Sequence, residues 1–542
     1  MANESDTPAR PGGFRVSSLW SWLPWLSAPR GVRAEVPEVW PGDPDAGSRL
    51  LNGHFAHAGE THRLDVDNPV LPETASDDWS RWFHGHGWLE DLGALGGGKA
   101  PYFSRAWVNL WIEREAEWPA LAHTPEVTAE RLMNWVRHWT FLVREDAAGP
   151  FGTLLRHTAG RDARRLLGTL PLPSTGFARL HTAAGQAYGA FALLGGEGRM
   201  TRTRRRLEEE VAAQVLGDGG HVERNPEQLA RVLKDLLELK AMFIATTGEV
   251  PGFVQNAIDR SAPMLRALRH PDGGLAVFNG GLESEPAWLD QMLAHTDSKG
   301  LAVAGAPHTR FRRLQAGDVC LIMDCGEPAP VGRSPHAGTL SFELSIGKRR
   351  MIVNCGSRSG HSAGSDAIWR TALAGTAAHS TLTVNDTSSA AFDAEGRIRR
   401  GPVDVRCEHQ EQDDGQGVIA SHDGYATAFG LTHQRTVYVA AHGCDVRGED
   451  RLIGTGGEYY TVRFHLHPDV KASMLGDAHG VLLRIGGRDA WRLRTSCDEV
   501  RLEDSIYLGR AGSVRRTEQI VMKGPLSGAG AVVKWALTRE AG

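Results

Sequence analysis

Hydrophobic residues along the chain change their spacing near residue 300, from a helical period to a strand period. Within residues 78–269 they recur at three- and four-residue steps, as Leu132, Val136 and Trp139 do in "TAERLMNWVRHWTFLVRE". That spacing puts apolar side chains on one face of a helix. The same period runs through "FARLHTAAGQAYGAFALLGG", "NPEQLARVLKDLLELKAMFIATTG" and "FVQNAIDRSAPMLRALRHPDGG". Successive helices joined by short loops predict a helical bundle or a helical toroid.

Beyond residue 300, about eleven segments alternate between apolar and polar positions, among them "GTLSFELSI", "RRMIVNCG" and "YYTVRFHLH". Gly, Asp and Asn separate these segments, and no helical pattern between them is long enough for a crossover, which predicts stacked antiparallel sheets. We therefore predict an α+β multidomain chain. It has an N-terminal leader and irregular segment over 1–77, a helical domain over 78–295 and an antiparallel β-sandwich over 296–542. A polymer-sized cleft is expected between the helices and the sheets.

Bulk composition excludes several classes of protein. A net charge of −5 over 542 residues counts against a nucleic-acid-binding protein, which normally carries a basic field. Six cysteines are too few for a disulfide scaffold, and no stretch approaches the roughly 20 apolar residues of a membrane span. We expect no nucleotide cofactor. The tryptophan-rich segment "FRVSSLWSWLPWLSAPRG" has weak signal-peptide features, so cytoplasmic and periplasmic locations both stay open, as does the oligomeric state.

The polar residues of the helical half concentrate in the glycine-rich segment "LGDGGHVERNPEQ". Glycines permit a tight turn, and the N-terminus of the following helix offers free N–H groups to an anion. The segment could thus bind a ligand through polar side chains. It could equally be structural, with Asn225 capping its helix and Arg224 paired with Glu223 or Asp218. The polar candidates in this segment are Asp218, His221, Glu223, Arg224, Asn225 and Gln228.

Histidines mark the strand ends of the other half. His336 and His379 flank "MIVNCG", which ends in Asn354, and two imidazoles with a third ligand from a neighbouring strand can hold a metal ion. Arg463, His465 and His467 alternate along "YYTVRFHLHPDV" and share one strand face. That row is either a polar sheet edge or part of a surface that binds an anionic ligand.

The order of these motifs resembles the heparinase II/III family of polysaccharide lyases. The resemblance rests on "HAGTLSFELSIGKRRMIVNCG" followed by "WRTALAGTAAHSTLTVND", and on "DGGHVERNPEQ", and it spans roughly residues 78–521. It implies an incomplete α/α toroid followed by an antiparallel β-sandwich. It also implies β-elimination on an acidic, uronic-acid-containing polysaccharide or oligosaccharide. In that chemistry the substrate carboxylate is neutralised, a Tyr or His base removes the C5 proton, and the leaving oxygen is protonated.

Carried over by residue, the resemblance places a zinc ion on His336, Asn354 and His379, and the substrate carboxylate at Arg224 and Asn225. The sequence departs from the family pattern where Gln228 replaces the catalytic tyrosine, Asn354 an acidic ligand, Gly338 an Asp and Ser334 an additional histidine.

The base must therefore come from elsewhere, and His221, His336 and Tyr188 are the candidates. Substrate contacts are expected from Gln228, Glu223, Arg463, His465 and His467. We predict a lyase. A glycan-binding protein without catalysis and a metal-dependent enzyme of another class remain alternatives.

Overall fold

A computed structural model describes residues 29–67, 71–143, 147–168, 176–332, 335–357, 366–394, 396–476, 479–487 and 489–540. Most of the tryptophan-rich N-terminal segment, up to residue 28, and Ser334 lie outside the described residues. Helices dominate the first half of the chain and strands the second, as the change in hydrophobic spacing predicts.

The helical half contains twelve α-helices within the described ranges, and two short ones lie among the later strands. They are α1 Pro44–Leu51, α2 Asp77–His84, α3 Leu89–Leu95, α4 Lys99–Glu113, α5 Pro125–Arg137, α6 Trp139–Val143, α7 Pro150–Gly168, α8 Gly176–Tyr188, α9 Glu197–Gln214, α10 Pro226–Thr247, α11 Gly252–Ala267, α12 Pro286–His295, α13 Asp366–Ala374 and α14 Ala426–Phe429.

Local sequence explains the bounds of α10. Asn225 Oδ1 accepts hydrogen bonds from the backbone of Glu227 and Gln228, at 2.9 and 3.1 Å, so Asn225 is the predicted N-cap. Pro226 occupies the first helical position, and Gly248 ends the helix with φ +80°, a conformation that favours glycine. The single helix predicted over 128–145 is wrong in one respect. The chain breaks at His138, which separates α5 from α6.

All but two of the twenty described strands follow residue 300. The strands are β1 His54–His57, β2 Glu60–Arg63, β3 Phe311–Ala316, β4 Val319–Asp324, β5 Phe342–Ile346, β6 Arg349–Val353, β7 Leu382–Val384, β8 Ala391–Phe392, β9 Ile398–Arg400, β10 Val405–Gln412, β11 Gly415–Tyr425, β12 Leu431–Ala440, β13 Asp445–Gly454, β14 Tyr459–Leu466, β15 Val470–Met474, β16 Gly480–Ile485, β17 Asp489–Thr495, β18 Glu499–Tyr507, β19 Arg515–Pro525 and β20 Ala531–Arg539.

Two eight-stranded antiparallel sheets form the second half. One has the order β10-β11-β12-β13-β20-β17-β16-β15, and the other β18-β19-β14-β6-β5-β4-β3 with β7 also paired to β14. Their inner faces share one hydrophobic core, in which Phe342 of one sheet stacks on Trp535 of the other at 5.5 Å between ring centroids. Within the described ranges, none of the helices combines the length and apolar character that crossing a bilayer requires.

A fully buried carboxylate joins the two halves. Glu343 of β5 accepts hydrogen bonds from His270 Nε2 at 3.0 Å and from the backbone N–H of Val277 at 3.1 Å, both in the helical half. It also accepts one from the backbone N–H of Asn354 at 3.1 Å. Several charge-assisted hydrogen bonds are what a buried carboxylate needs, so Glu343 fixes the helical half against the sheet.

Candidate functional site

The segment "LGDGGHVERNPEQ" forms a structural tie between the two halves. Asp218 Oδ2 accepts hydrogen bonds from the backbone of His308 and Thr309, at 2.8 and 2.7 Å, and from Thr309 Oγ1 at 3.0 Å. Gly219 has φ +85° and packs directly on the backbone of Arg260, where a side chain would collide. The glycines of this segment thus serve close packing against neighbouring loops.

Arg224 is committed to protein partners. Its guanidinium forms an ion pair with Asp324 at the end of β4 and donates to the backbone carbonyls of Thr309 and Glu327. The sequence left open whether Arg224 binds a ligand or has a structural role. The contacts of Arg224 support the structural role, although its ion-pair partner is Asp324 and not Glu223 or Asp218. Asn225 is occupied as well, because it caps α10 and donates to the Asn279 carbonyl at 3.0 Å.

The proposed bases of this half are enclosed by protein. His221 is 1 % exposed and its Nε2 contacts Gln214 Oε1 at 3.1 Å, while burial lowers the pKa of His221 to about 3. The Tyr188 hydroxyl is buried and donates to the Glu238 carbonyl at 3.0 Å, and burial raises its pKa. Neither residue lines the large cavity described below.

Two predicted substrate contacts of the segment also point into the protein. Glu223 Oε1 accepts a hydrogen bond from the Phe177 backbone at 2.7 Å. Gln228, at the position of the family tyrosine, has a buried Oε1 that no hydrogen-bond donor of the described chain reaches. An amide cannot act as a general base, so this position offers no replacement for the tyrosine.

The structure brings His336 and His379 together. His379 Nδ1 lies 2.8 Å from the Gly375 carbonyl and so carries the proton, which leaves its Nε2 to accept from His336 Nδ1 at 3.0 Å. Burial lowers the pKa of His379 to about 4 and that of His336 well below its usual value, so both rings are neutral. The third residue, Asn354, accepts from the Ser380 backbone at 3.0 Å and donates to the Val277 carbonyl at 3.2 Å.

The two histidines of this group could serve as neutral ligands to a zinc ion. Two ring nitrogens 3.0 Å apart are near the roughly 3.3 Å that separates two nitrogen ligands on a tetrahedral zinc ion. The hydrogen bond from His379 to a backbone carbonyl is typical of zinc-binding histidines. Zinc would replace the contact between the rings, with His336 moving its proton to Nε2. The described residues form no group of three or more His, Cys, Asp or Glu with metal-binding geometry, and Asn354 would have to release the Ser380 backbone N–H from its Oδ1 to act as a third ligand.

The row on β14 does not form one surface for a ligand. Arg463 donates to Thr383 Oγ1 at 2.8 Å and pairs with Asp386 at 3.1 Å. His465 is buried, lies 2.9 Å from the Ala377 carbonyl and has its pKa lowered to about 3 by burial. His467 packs on the Tyr507 ring and lines a separate small cavity of about 150 Å³.

A cavity of about 440 Å³ lies within the helical half, and the sequence analysis did not predict its lining residues. The sequence does contain a pattern that could have indicated this cavity. Charged residues recur at three- and four-residue steps on one face of α5, at Glu126 and Glu130, and on one face of α10, at Glu227, Arg231 and Lys234. The cavity is lined by His57, Asp78, Arg81, Trp82, Gly87, Glu90, Asp91, Glu126, Val127, Glu130, Phe177, His181, Glu227, Arg231, Lys234, Asp235, Ser284 and Trp288. We call it the toroid cleft.

The toroid cleft is rich in carboxylates. Seven Asp and Glu side chains line it against three Lys and Arg side chains. At its inner wall, His181 places Nδ1 2.8 Å from Asp235 Oδ2 and Nε2 2.8 Å from Glu130 Oε2. Burial alone lowers the pKa of His181, but these two carboxylates outweigh it and hold the pKa well above its usual value. His181 is therefore an imidazolium with both protons engaged, and it cannot accept one.

Two groups of the cleft remain available to a ligand. The His57 ring stacks on Trp82, with centroids 4.9 Å apart and planes 1° from parallel. Burial and the charge of Arg231 lower the pKa of His57 to about 4, and among the described residues its ring nitrogens have no hydrogen-bond partner. Glu90 likewise has no ion-pair or hydrogen-bond partner in the described chain, and burial raises its pKa to about 7.

Known proteins are similar to this chain in sequence and in architecture. The sequence profile of the family described as "Heparinase II/III-like, C-terminal" matches residues 298–536. A relative from Caulobacter vibrioides, "FtsZ-localized protein C", is 32 % identical over 548 aligned residues, which cover 95 % of this chain and 92 % of the relative.

Solved structures confirm the predicted fold. A crystal structure of heparinase III superimposes with a TM-score of 0.73 at 15 % identity, covering 96 % of this chain and 87 % of that one. A mutant of the heparan sulfate lyase HepC from Pedobacter heparinus gives 0.64 at 16 % identity, covering 92 % and 83 %. The incomplete α/α toroid followed by an antiparallel β-sandwich is thus the architecture of these lyases. Sequence and fold together place this chain in the heparinase II/III-like family.

Proposed function

We propose that this chain binds a saccharide in the toroid cleft and does not cleave it by β-elimination. The observation that carries the proposal is the state of the expected bases. Gln228 stands in place of the family tyrosine, and His221 and Tyr188 are buried with their polar atoms engaged. Among the described residues that line the cleft there is no tyrosine, and His181 is held as a cation between two carboxylates. Aromatic side chains at His57, Trp82 and Trp288 supply the flat surfaces on which sugar rings pack.

The charge of the cleft bears on the kind of saccharide. The sequence prediction of an acidic polysaccharide requires a site that attracts carboxylates. The seven Asp and Glu side chains of the cleft outnumber its three Lys and Arg side chains and the His181 cation, so the excess negative charge repels a polyanion. We therefore propose a saccharide that is not acidic.

A binding titration with a simultaneous chemical readout tests this function. Oligosaccharides with neutral, amino or uronate sugars would be titrated by calorimetry, and the same mixtures followed by ultraviolet absorbance for an unsaturated uronate. Binding of a non-acidic oligosaccharide without new absorbance is the expected result. New absorbance with any uronate polymer would contradict the proposal, as would the failure of every saccharide to bind.

Elimination with a different base is the second candidate function, and His57 is the observation that favours it. Its ring is neutral at ordinary pH, lines the cleft and lies near the charge of Arg231, which could bind a uronate carboxylate. This candidate predicts new absorbance from an unsaturated uronate. His57→Gln should abolish the absorbance, and His221→Gln should leave it unchanged. Absorbance that survives His57→Gln would exclude His57 as the base.

The relative from Caulobacter vibrioides suggests a cellular setting. Its name states that it is localised with FtsZ, and the match covers nearly the whole of both chains. We propose that the present chain also localises with FtsZ. A fluorescent fusion imaged in its own host should coincide with FtsZ and disperse when FtsZ is depleted, and a fusion that keeps its position after depletion would contradict this.

We further propose that zinc, when bound to His336, Asn354 and His379, has a structural role. Neither histidine lines the toroid cleft. A metal ion there would cross-link the loop before β5 to the turn before β7, and would supply no charge to a ligand in the cleft.

A further inference from the structure

The cations of the toroid cleft are already neutralised by the protein. Arg231 pairs with Glu227 at 2.8 Å, Arg81 with Asp78 at 3.3 Å, and Lys234 with Glu238 at 2.6 Å. An anionic ligand would have to compete with a fixed carboxylate for each of them.

The acidic groups are not all neutralised in return. His181 serves both Glu130 and Asp235, and among the described residues Asp91 receives only a backbone N–H from Asp43, at 2.9 Å. Glu90 is left without a hydrogen-bonding or ionic partner anywhere in the described ranges, although it faces the cavity. Lys234 and Arg137 are the cations whose charges act most strongly on Glu90, and both form ion pairs with Glu238.

A partly buried carboxyl group without a protein partner has lost part of its hydration, so a ligand that donates hydrogen bonds to it gains free energy. The partner that removes this cost is a cation with N–H donors, because a charge-assisted hydrogen bond to a carboxylate is stronger than a neutral one. The stacked rings of His57 and Trp82 line the same cavity and add an aromatic face, which favours both a sugar ring and a neighbouring ammonium group.

We propose that the toroid cleft selects a saccharide that carries a protonated amine, with Glu90 as the group that receives the ammonium. This inference rests on the proposed saccharide binding in the same cleft, and it adds the chemical class of the ligand. Glu90 then acts as a specificity residue, and the ring pair of His57 and Trp82 contacts the sugar.

Three matched oligosaccharides of equal length test this selection. The first contains glucosamine with free amines, the second the N-acetylated sugar, and the third alternates with glucuronate. Calorimetric titration of the whole protein near pH 7, where amine and Glu90 can both be charged in the complex, should give about tenfold tighter binding of the first than of the second, a difference of about 1.4 kcal/mol. The third should bind most weakly.

Glu90→Gln keeps the shape of the side chain and removes its charge, and it should bring the first two affinities to within about twofold of each other. Glu208→Gln, on the exposed face of α9, is the matched control and should keep the tenfold preference. Thermal unfolding of both variants checks that the fold is retained.

The outcomes separate this inference from the function on which it rests. If the amino and N-acetylated oligosaccharides bind wild-type protein equally well, selection of an amine is wrong while saccharide binding stands. If the amine preference persists in Glu90→Gln, Glu90 is not the receiving group and the inference fails. If no oligosaccharide binds, both the inference and the proposed function fail.

Discussion

His181 is held between two carboxylates, with Nδ1 2.8 Å from Asp235 and Nε2 2.8 Å from Glu130. Removing one partner of a buried ion pair leaves an uncompensated charge and costs about 3–5 kcal/mol. We expect His181→Gln to lower the free energy of unfolding by about that amount at neutral pH, measured by urea denaturation. His409→Gln, at an exposed position of β10, is the control and should change stability by less than about 0.5 kcal/mol.

The same pair predicts a pH dependence with a definite sign. The pKa of His181 is raised well above its usual value in the folded protein, while the unfolded chain has the ordinary value of about 6.5. Its stabilisation is therefore complete below about pH 6.5 and is lost as the pH rises through the folded pKa. The stability difference between wild type and His181→Gln should shrink with rising pH above neutrality. A difference that stays level above neutrality would show that His181 is neutral in the fold.

Arg224 is predicted to act on stability and not on ligand affinity. Arg224→Ala removes the ion pair with Asp324 and two hydrogen bonds to backbone carbonyls, so it should destabilise the protein by about 3–5 kcal/mol. Arg231→Ala is the matched comparison, because Arg231 lines the cleft and is partly exposed. It should alter saccharide binding with a smaller change in unfolding. Weaker binding in a stable Arg224→Ala protein would restore Arg224 to the ligand site.

Zinc binding is checked by metal analysis and thermal unfolding. Added zinc should raise the melting temperature of wild-type protein, and a chelator should reverse the increase, because a ligand that binds the folded state stabilises it. His379→Ala should abolish the response. His295→Ala should keep it. A zinc response unchanged in His379→Ala would place the ion elsewhere.

Trp82 is predicted to contribute packing to saccharide binding. Aromatic contacts contribute about 0.5–1.5 kcal/mol beyond buried area, so Trp82→Ala should weaken binding by roughly three- to tenfold or more. Trp82→Phe retains a flat ring and should recover part of the affinity. Equal affinity of all three proteins would indicate that the ligand does not contact the ring pair of His57 and Trp82.

The ionisation of Glu90 should govern the binding of a cation. Burial raises the pKa of Glu90 to about 7, with Lys234 and Arg137 opposing this increase and Glu238 and Asp91 adding to it. A guanidinylated amino oligosaccharide stays cationic over this range and keeps its N–H donors, so its affinity should rise as the pH increases from about 5.5 to about 8.5. In Glu90→Gln this rise should disappear. A flat profile in wild-type protein would mean that another group receives the cation.

The fold was largely predictable because its signals are local. The alternation of "GTLSFELSI" and the Asn225–Pro226 start of α10 each specify one element through neighbouring residues. The prediction missed β13, where "DVRGEDRLIG" is highly charged yet lies between β12 and β20 in the sheet interior. Its pairing depends on strands distant in the sequence, which a local pattern does not contain.

The candidate site was less predictable because its residues are far apart in the sequence. The toroid cleft takes His57 from a hairpin, Glu90 from α3 and Trp288 from α12, and no single segment signals it. The conspicuous segment "LGDGGHVERNPEQ" instead supplies contacts that hold the structure together. Polar residues that are close in the sequence need not form a binding site, and residues that do line a cavity can come from distant segments. Only a structure distinguishes these two cases.

The buried carboxylate of Glu343 has a consequence for how this architecture can be recombined. The match to the family profile begins at residue 298. Two of the groups that donate hydrogen bonds to Glu343, on His270 and Val277, lie before that residue. A chimera that grafts this sheet half onto a foreign helical half would leave Glu343 facing a surface that does not donate to it. The start of the family match is therefore not a boundary at which the sheet half can be exchanged between proteins. A successful chimera must also transfer the loop around residues 270–277.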